Sequence, residues 1–206
     1  MAVFQPRMHH GTPAALTLRR MTGRHVRERG FTLVELCVVV AIIGILAMLA
    51  VTGYRRLVTS SHTTEATEMI NAIKVGQETY HAETGQYANI SAGLGLGSLY
   101  PQATPNGTTA TAWGSTCAVC TDTTGWQKLP VHASGVVRFG YATMAGSIAQ
   151  ALPASPIATM TFPTNAQLTG DWFVVSAMGD NDNNNIYCTV VGVSWQRELG
   201  IKNDGE

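Results

Sequence analysis

Charge is scarce in this chain. Its 206 residues include thirteen Lys and Arg and thirteen Asp and Glu, so the formal net charge is zero. The zero hides an asymmetry, because residues 1–30 carry six Arg and one Glu, whereas the rest carries seven basic and twelve acidic residues. An arginine-rich front of this kind is typical of a targeting segment. Residues 86–206 hold four basic and seven acidic residues, so we expect no basic surface for nucleic acid.

Catalytic groupings are missing too. The histidines beyond the front segment, His62, His81 and His132, stand without the paired acid or serine that nucleophilic or acid–base catalysis needs. The Cys117–Cys120 pair is not followed by His, which excludes a c-type haem site, and no βαβ pattern surrounds it. We therefore expect a protein that is not an enzyme and that has no cofactor.

Polar residues are rare in the apolar run Phe31–Val51, and no proline interrupts residues 31–84. At about 1.5 Å per residue, 21 residues cross a hydrocarbon core of about 30 Å. The preceding arginines predict a cytoplasmic leader, with everything after the run on the far side of the membrane. A cleaved secretory signal is the alternative, but the run is too long for one and no A-x-A-like site closes it.

Glu35 is the only charged residue within this run. A lone carboxylate in a membrane is costly unless it is paired, and it is a functional hypothesis by default. The sequence thus poses the question of which cation neutralises Glu35.

The helix is predicted to continue beyond the membrane. Apolar residues recur at three- and four-residue steps from Ala66 to Tyr80, so residues 52–85 form an amphipathic half of the same helix. Gly85 is placed to end it in a left-handed conformation. Residues 86–134, rich in Gly, Thr, Ser and Pro, are predicted to form a long loop.

Residues 135–206 show the pattern of an antiparallel sheet. Period-two alternation predicts strands within 134–143, 171–178 and 186–195, with a polar hairpin between the last two. A sheet of three or four strands would bury one face against the apolar stripe of the helix. The predicted fold class is α+β, with a long N-terminal helix packed on an antiparallel sheet head.

The stretch "RGFTLVELCVVVAIIGILA" resembles the class III signal and N-terminal helix of type IV pilins and type II secretion pseudopilins. The stretch "EMINAIKVGQETYHAETGQYA" is similar to the amphipathic second half of their helix. Together the two resemblances cover about residues 29–88. One departure is Thr52, which stands where many family members have the proline associated with a bend in the helix.

The resemblance implies a processing step and a role for the lone carboxylate. A prepilin peptidase would remove the leader 1–30 by cutting between Gly30 and Phe31, and would methylate the new amine of Phe31. Glu35 would then pair with the Phe31 amine of a neighbouring subunit as residues 31–51 bundle into the filament core. The implied partners are identical or related pilin subunits and an inner-membrane assembly machinery. The implied locations are the bacterial inner membrane and then the cell surface, for adhesion, motility or related uptake.

Alternatives stay open at this point. A pseudopilin would form a periplasmic filament instead, and a membrane-tethered binding or redox module would act as a monomer through Cys117 and Cys120. Major subunit, minor subunit and tip adhesin are not distinguished. Translation can begin at Met1 or at Met21, and the latter gives a ten-residue leader of typical length.

Cysteine and acidic residues supply two further candidate sites. Cys117, Cys120 and Cys188 would face an oxidising compartment, so one disulfide is expected, either within the loop or from the loop to Cys188. The family resemblance favours pairing to Cys188, and Cys37 is interpreted as a small apolar residue. The alternation of Asp180, Asp182 and Asn184 resembles the start of a calcium loop but lacks its glycine and its final glutamate, so a solvated turn competes with calcium binding.

Overall fold

A computed structural model of the chain describes residues 30–115 and 124–204. The interpretations that concern the leader, the choice between Met1 and Met21, and the cysteines Cys117 and Cys120 lie outside these residues. Of Arg56 the backbone alone is described.

One helix, α1, runs over Leu33–Thr84. It forms because no proline interrupts 52 residues that are dominated by Leu, Ala, Val and Ile in the first half. It ends where Gly85 adopts a φ of +76° and donates its N–H to the carbonyl oxygen of His81 at 2.8 Å. The predicted helix and its glycine stop are therefore confirmed, with the first turn starting two residues later than expected.

The second half of α1 buries one stripe, as its periodicity predicts. Ala66, Ile70 and Ile73 are completely buried, and Met69 is nearly so. Gly76 allows a close approach, since a Cβ there would lie 2.8 Å from a methyl group of Val131. Burial of this stripe provides the hydrophobic contribution that holds this half of the helix to the sheet and its connecting segments.

Gln77, the polar member of the stripe, is fully buried, and both polar atoms of its side-chain amide are hydrogen-bonded. Its amide nitrogen donates to the Ala88 carbonyl at 2.8 Å and to Thr143 Oγ1 at 3.0 Å, and its amide oxygen accepts the Ala88 N–H at 2.8 Å. One side chain thus joins the helix, the chain that leaves it and the sheet. Such groups are expensive to leave unpaired once buried.

We expect Gln77→Leu to lower the free energy of unfolding by about 3 kcal/mol, because it leaves the Ala88 N–H and C=O buried without partners. The unfolding midpoint would fall by roughly 10 °C. Tryptophan fluorescence of the full chain in detergent micelles measures it. The matched control is Asn71→Leu, which changes an exposed residue of the same helix and should leave the midpoint nearly unchanged. An unchanged midpoint in Gln77→Leu would contradict this role.

Four antiparallel strands form the main sheet and two short strands form a separate ladder. The strands are β1 Thr111–Ala112, β2 Val136–Val137, β3 Gly140–Gly146, β4 Trp172–Gly179, β5 Cys188–Val193 and β6 Gly200–Lys202. The main sheet has the order β3-β4-β5-β6, and β1 pairs with β2. The register places Thr143 opposite Val175, and Val175 opposite Gly192.

The expected strand at 134–143 is divided in two. Between β2 and β3 the backbone N–H of Arg138 donates to Glu65 Oε1 on the helix at 3.0 Å instead of to a neighbouring strand. The first piece therefore pairs with β1, and the second pairs with β4. The sequence pattern predicts neither β1 nor β6, because both are too short to show period-two alternation.

Both faces of the main sheet are covered, whereas the sequence pattern predicts one covered face. Tyr141, Phe173 and Val190 belong to the core cluster that includes the helix stripe. Val174 and Val191 lie in a second cluster with Leu94, Leu99 and Ile157 from the connecting segments. The strand β4 is apolar at nearly every position, which is typical of a strand buried on both sides.

Candidate assembly site

Glu35, in the first turn of α1, is hydrogen-bonded to Thr32. Thr32 precedes the helix, and its N–H and hydroxyl donate to Glu35 Oε2 at 2.9 and 2.8 Å. The Glu35 N–H donates back to Thr32 Oγ1 at 3.2 Å. This reciprocal arrangement is a capping box, and the spacing T-x-x-E in "TLVE" is its sequence signature. The interpretation of Glu35 as an intermolecular group alone had missed this local role.

The capping box leaves the charge of Glu35 uncompensated. Thr32 binds Oε2, and Oε1 accepts no hydrogen bond from the part of the chain that the structure describes. No Lys or Arg in that part forms an ion pair with the carboxylate. Glu35 therefore presents one free oxygen at the start of the helix, next to Phe31 and Gly30.

The apolar side chains around Glu35 are uncovered. Phe31 is 86% exposed, and every described residue from 31 to 51 is exposed. By length and composition, α1 has a segment that could cross a membrane. An apolar surface of this extent needs lipid or other apolar helices around it, because water solvates it poorly.

The helix stays regular at Thr52, as expected for a position that lacks proline. Thr52 Oγ1 donates to the Leu49 carbonyl at 2.9 Å and to the Met48 carbonyl at 3.3 Å. Threonine hydroxyls that bond back in this way weaken a helix slightly without breaking it.

Two comparisons bear on this arrangement. Residues 26–51 match the family described as the prokaryotic N-terminal methylation motif. The chain is 35% identical over 77 residues to the type IV major pilin protein PilA of Myxococcus xanthus, covering 37% of this chain and 35% of that protein. It is 36% identical over 69 residues to the fimbrial protein EcpC of Eikenella corrodens, covering 34% of this chain and 45% of that protein.

The N-terminal part of the chain is thus similar to that of type IV pilins and fimbrial proteins. A further relative, the type IV major fimbrial protein FimA of Dichelobacter nodosus, is 44% identical over 48 residues, which are 23% of this chain and 30% of that protein. The aligned parts span less than half the length of each of these relatives. The long helix and the antiparallel sheet of the structure agree with the α+β fold of type IV pilins.

The two cysteines that the structure describes lie in different surroundings. Cys37 is exposed on the apolar helix, and Cys188 is buried in β5. Burial raises the pKa of the Cys188 thiol, and a hydrogen bond with Thr63 opposes that rise. Because Cys117 and Cys120 lie outside the described residues, the one expected disulfide, within the loop or from the loop to Cys188, stays a prediction.

The acidic turn between β4 and β5 stabilises itself. Asp180 is 2% exposed and accepts the N–H groups of Asn184 and Asn185 at 3.1 and 2.9 Å. Asp182 accepts both the backbone N–H and the side-chain amide of Asn184. Within residues 30–115 and 124–204, no three His, Cys, Asp or Glu side chains converge as metal ligands. Backbone and side-chain amides already donate to the side-chain oxygens of these residues. Calcium binding at Asp180, Asp182 and Asn184 stays a prediction.

Proposed function

We propose that this chain is a structural subunit of a type IV pilus. The subunit is cut between Gly30 and Phe31 by a prepilin peptidase, is methylated at the Phe31 amine, and polymerises through the apolar part of α1. It resides in the inner membrane before assembly and in a surface filament afterwards. Its partners are further pilin subunits and the inner-membrane assembly machinery, and it carries out no catalysis.

One observation carries the proposal: a single carboxylate stands in an otherwise uncovered apolar helix surface, four residues after the first residue of the cleaved chain. Neither lipid nor the apolar side chains of a neighbouring helix can neutralise Glu35. A free Phe31 amine on a neighbouring subunit can, because the Oε1 atom of Glu35 is open. Cleavage is what creates that amine, so assembly through this ion pair depends on prior processing.

Capping and pairing are compatible within one carboxylate. Thr32 holds Oε2 and so orients the group at the helix start. Because the Glu35 side chain is already held in place, it loses little further conformational entropy when Oε1 pairs with a cation, and this favours pairing. The ion pair sets the axial register between neighbouring helices, since it forms at only one offset.

Shearing of cells tests the proposal. We expect this chain in the pellet of sheared surface filaments, at an abundance that distinguishes a major from a minor subunit. Absence of the chain from surface filaments, with a periplasmic filament in its place, would instead favour a secretion pseudopilin. A chain that stays monomeric in the membrane would contradict both kinds of filament.

A further inference from the structure

A groove runs beside the second half of α1. Its helix side consists of Glu65, Glu68, Met69 and Ala72. Its other side is the segment 132–137, which leads into β2. The groove has a cavity volume of about 320 Å³, comparable to the volume of one or two long side chains.

The chemistry of the groove combines an apolar floor with an acidic edge. Met69 is 6% exposed and provides the floor, while Val136 is 60% exposed and forms part of the opposite wall. Glu65 uses Oε1 to accept the Arg138 N–H, and its Oε2 has no hydrogen bond within the described residues. Glu68 is exposed and has no hydrogen bond or ion pair in that part of the chain. Such a surface fits the aliphatic stem and the guanidinium of an arginine.

Two cations in the described part of the chain are already hydrogen-bonded. Lys74 donates to the Gln196 carbonyl at 3.0 Å, and Arg138 donates through its guanidinium to the Gly107 carbonyl at 3.3 Å. Arg55 differs, because it lies on an exposed stretch of α1 and makes no hydrogen bond or ion pair through its side chain within the described residues. Its neighbours Tyr54 and Leu57 are 68% and 70% exposed.

Arg55 cannot reach the groove of its own chain. Glu65 and Glu68 follow it by 10 and 13 residues, or about 15–20 Å along the helix axis, whereas an arginine side chain extends about 7 Å. A second copy, displaced by that distance along a parallel helix, brings Arg55 level with the two glutamates. Heterologous contacts of this kind generate open helical filaments, in which each subunit meets neighbours at several axial offsets.

We infer that the groove lined by Glu65 and Glu68 is a docking surface for Arg55 of a second copy of this chain. This inference rests on the proposed filament. The proposed contact joins the helix of one copy to the groove of another. The axial displacement between these two copies differs from that of the Glu35–Phe31 pair, so the two ion pairs join different neighbours. Tyr54 and Leu57 of the incoming helix cover the exposed Val136 side of the groove.

Charge exchange in the full-length chain tests the contact, in cells that lack the native copy. We expect Glu68→Arg and Arg55→Glu each to lower the amount of chain in sheared filaments about tenfold, since each places like charges at the contact. The double variant, Glu68→Arg with Arg55→Glu, should recover assembly to within about twofold of wild type. Glu83→Arg reverses an exposed charge of the same helix outside the groove and should have no effect.

The outcomes separate this inference from the proposed function. Immunoblots of the membrane fraction first establish that every variant is present at the wild-type level, so that loss of filaments reports assembly rather than folding. Wild-type filament yield in both single variants would overturn the docking surface while leaving the pilus proposal intact. Failure of the double variant to recover would overturn the pairing. Absence of the wild-type chain from filaments would overturn the proposed function itself.

Discussion

We expect Glu35→Ala to abolish filament assembly, with at least a hundredfold less chain in sheared filaments than for wild type. The reason is electrostatic: removal of the carboxylate leaves the Phe31 amine of a neighbouring subunit unpaired in an apolar surrounding. Breaking a buried pair by removing one partner costs about 3–5 kcal/mol, and each 1.36 kcal/mol is tenfold. Quantitative immunoblotting of the sheared pellet against the membrane fraction measures the loss.

Glu35→Gln separates the charge from the capping box. Its amide oxygen can still accept the hydrogen bonds that Thr32 donates, so the first helical turn is kept. We expect this variant to fail in assembly nearly as completely as Glu35→Ala, while both accumulate normally in the membrane. If Glu35→Gln formed filaments in wild-type amounts, hydrogen bonding in the cap would be sufficient and the ion pair would not be required.

We expect Gly30→Val to block maturation, so that the uncleaved precursor accumulates in place of the shorter chain. A peptidase that cuts after Gly30 must approach the backbone closely, and glycine is the residue that leaves this approach open. The substitution is harmless to the subunit itself, because a Cβ at Gly30 would meet no atom within 4 Å. We expect at least a hundredfold less mature chain, seen as a band shift on immunoblots.

A second glycine serves as the matched control for this variant. A Cβ at Gly44 would also meet no atom within 4 Å, but Gly44 lies inside the helix, away from the cleavage position. Gly44→Ala should therefore be cleaved at the wild-type rate, with the helix stabilised by about 1 kcal/mol. Equal cleavage of Gly30→Val and wild type would show that the scissile bond lies elsewhere.

The helix and the apolar surface could be predicted from the sequence because their signals are local. The unbroken apolar run, the stripe from Ala66 to Tyr80 and Gly85 each depend on spacings of a few residues. Glu35 could be singled out for the same reason, as one charge in a uniform surrounding. Its capping partner Thr32 has an equally local signal, since the T-x-x-E spacing spans only four residues.

Features that depend on distant contacts could not be predicted in the same way. Arg138 interrupts an apparently continuous strand because Glu65, 73 residues earlier, accepts its N–H. Gln77 is a core residue because Ala88 and Thr143 come to it from two other parts of the chain. The acidic groove likewise exists only where residues 132–137 meet the helix, so no spacing in the sequence indicates it.

The N-terminus of the subunit in purified filaments tests the central claim most directly. Intact mass and N-terminal peptide analysis of sheared filaments should show a chain that begins at Phe31 with a methylated amine. In the proposed filament, that terminus would supply the cation that pairs with the Glu35 carboxylate. A filament subunit that still carries its arginine-rich leader would have no amine at this position, and assembly through a Glu35–Phe31 ion pair would be contradicted.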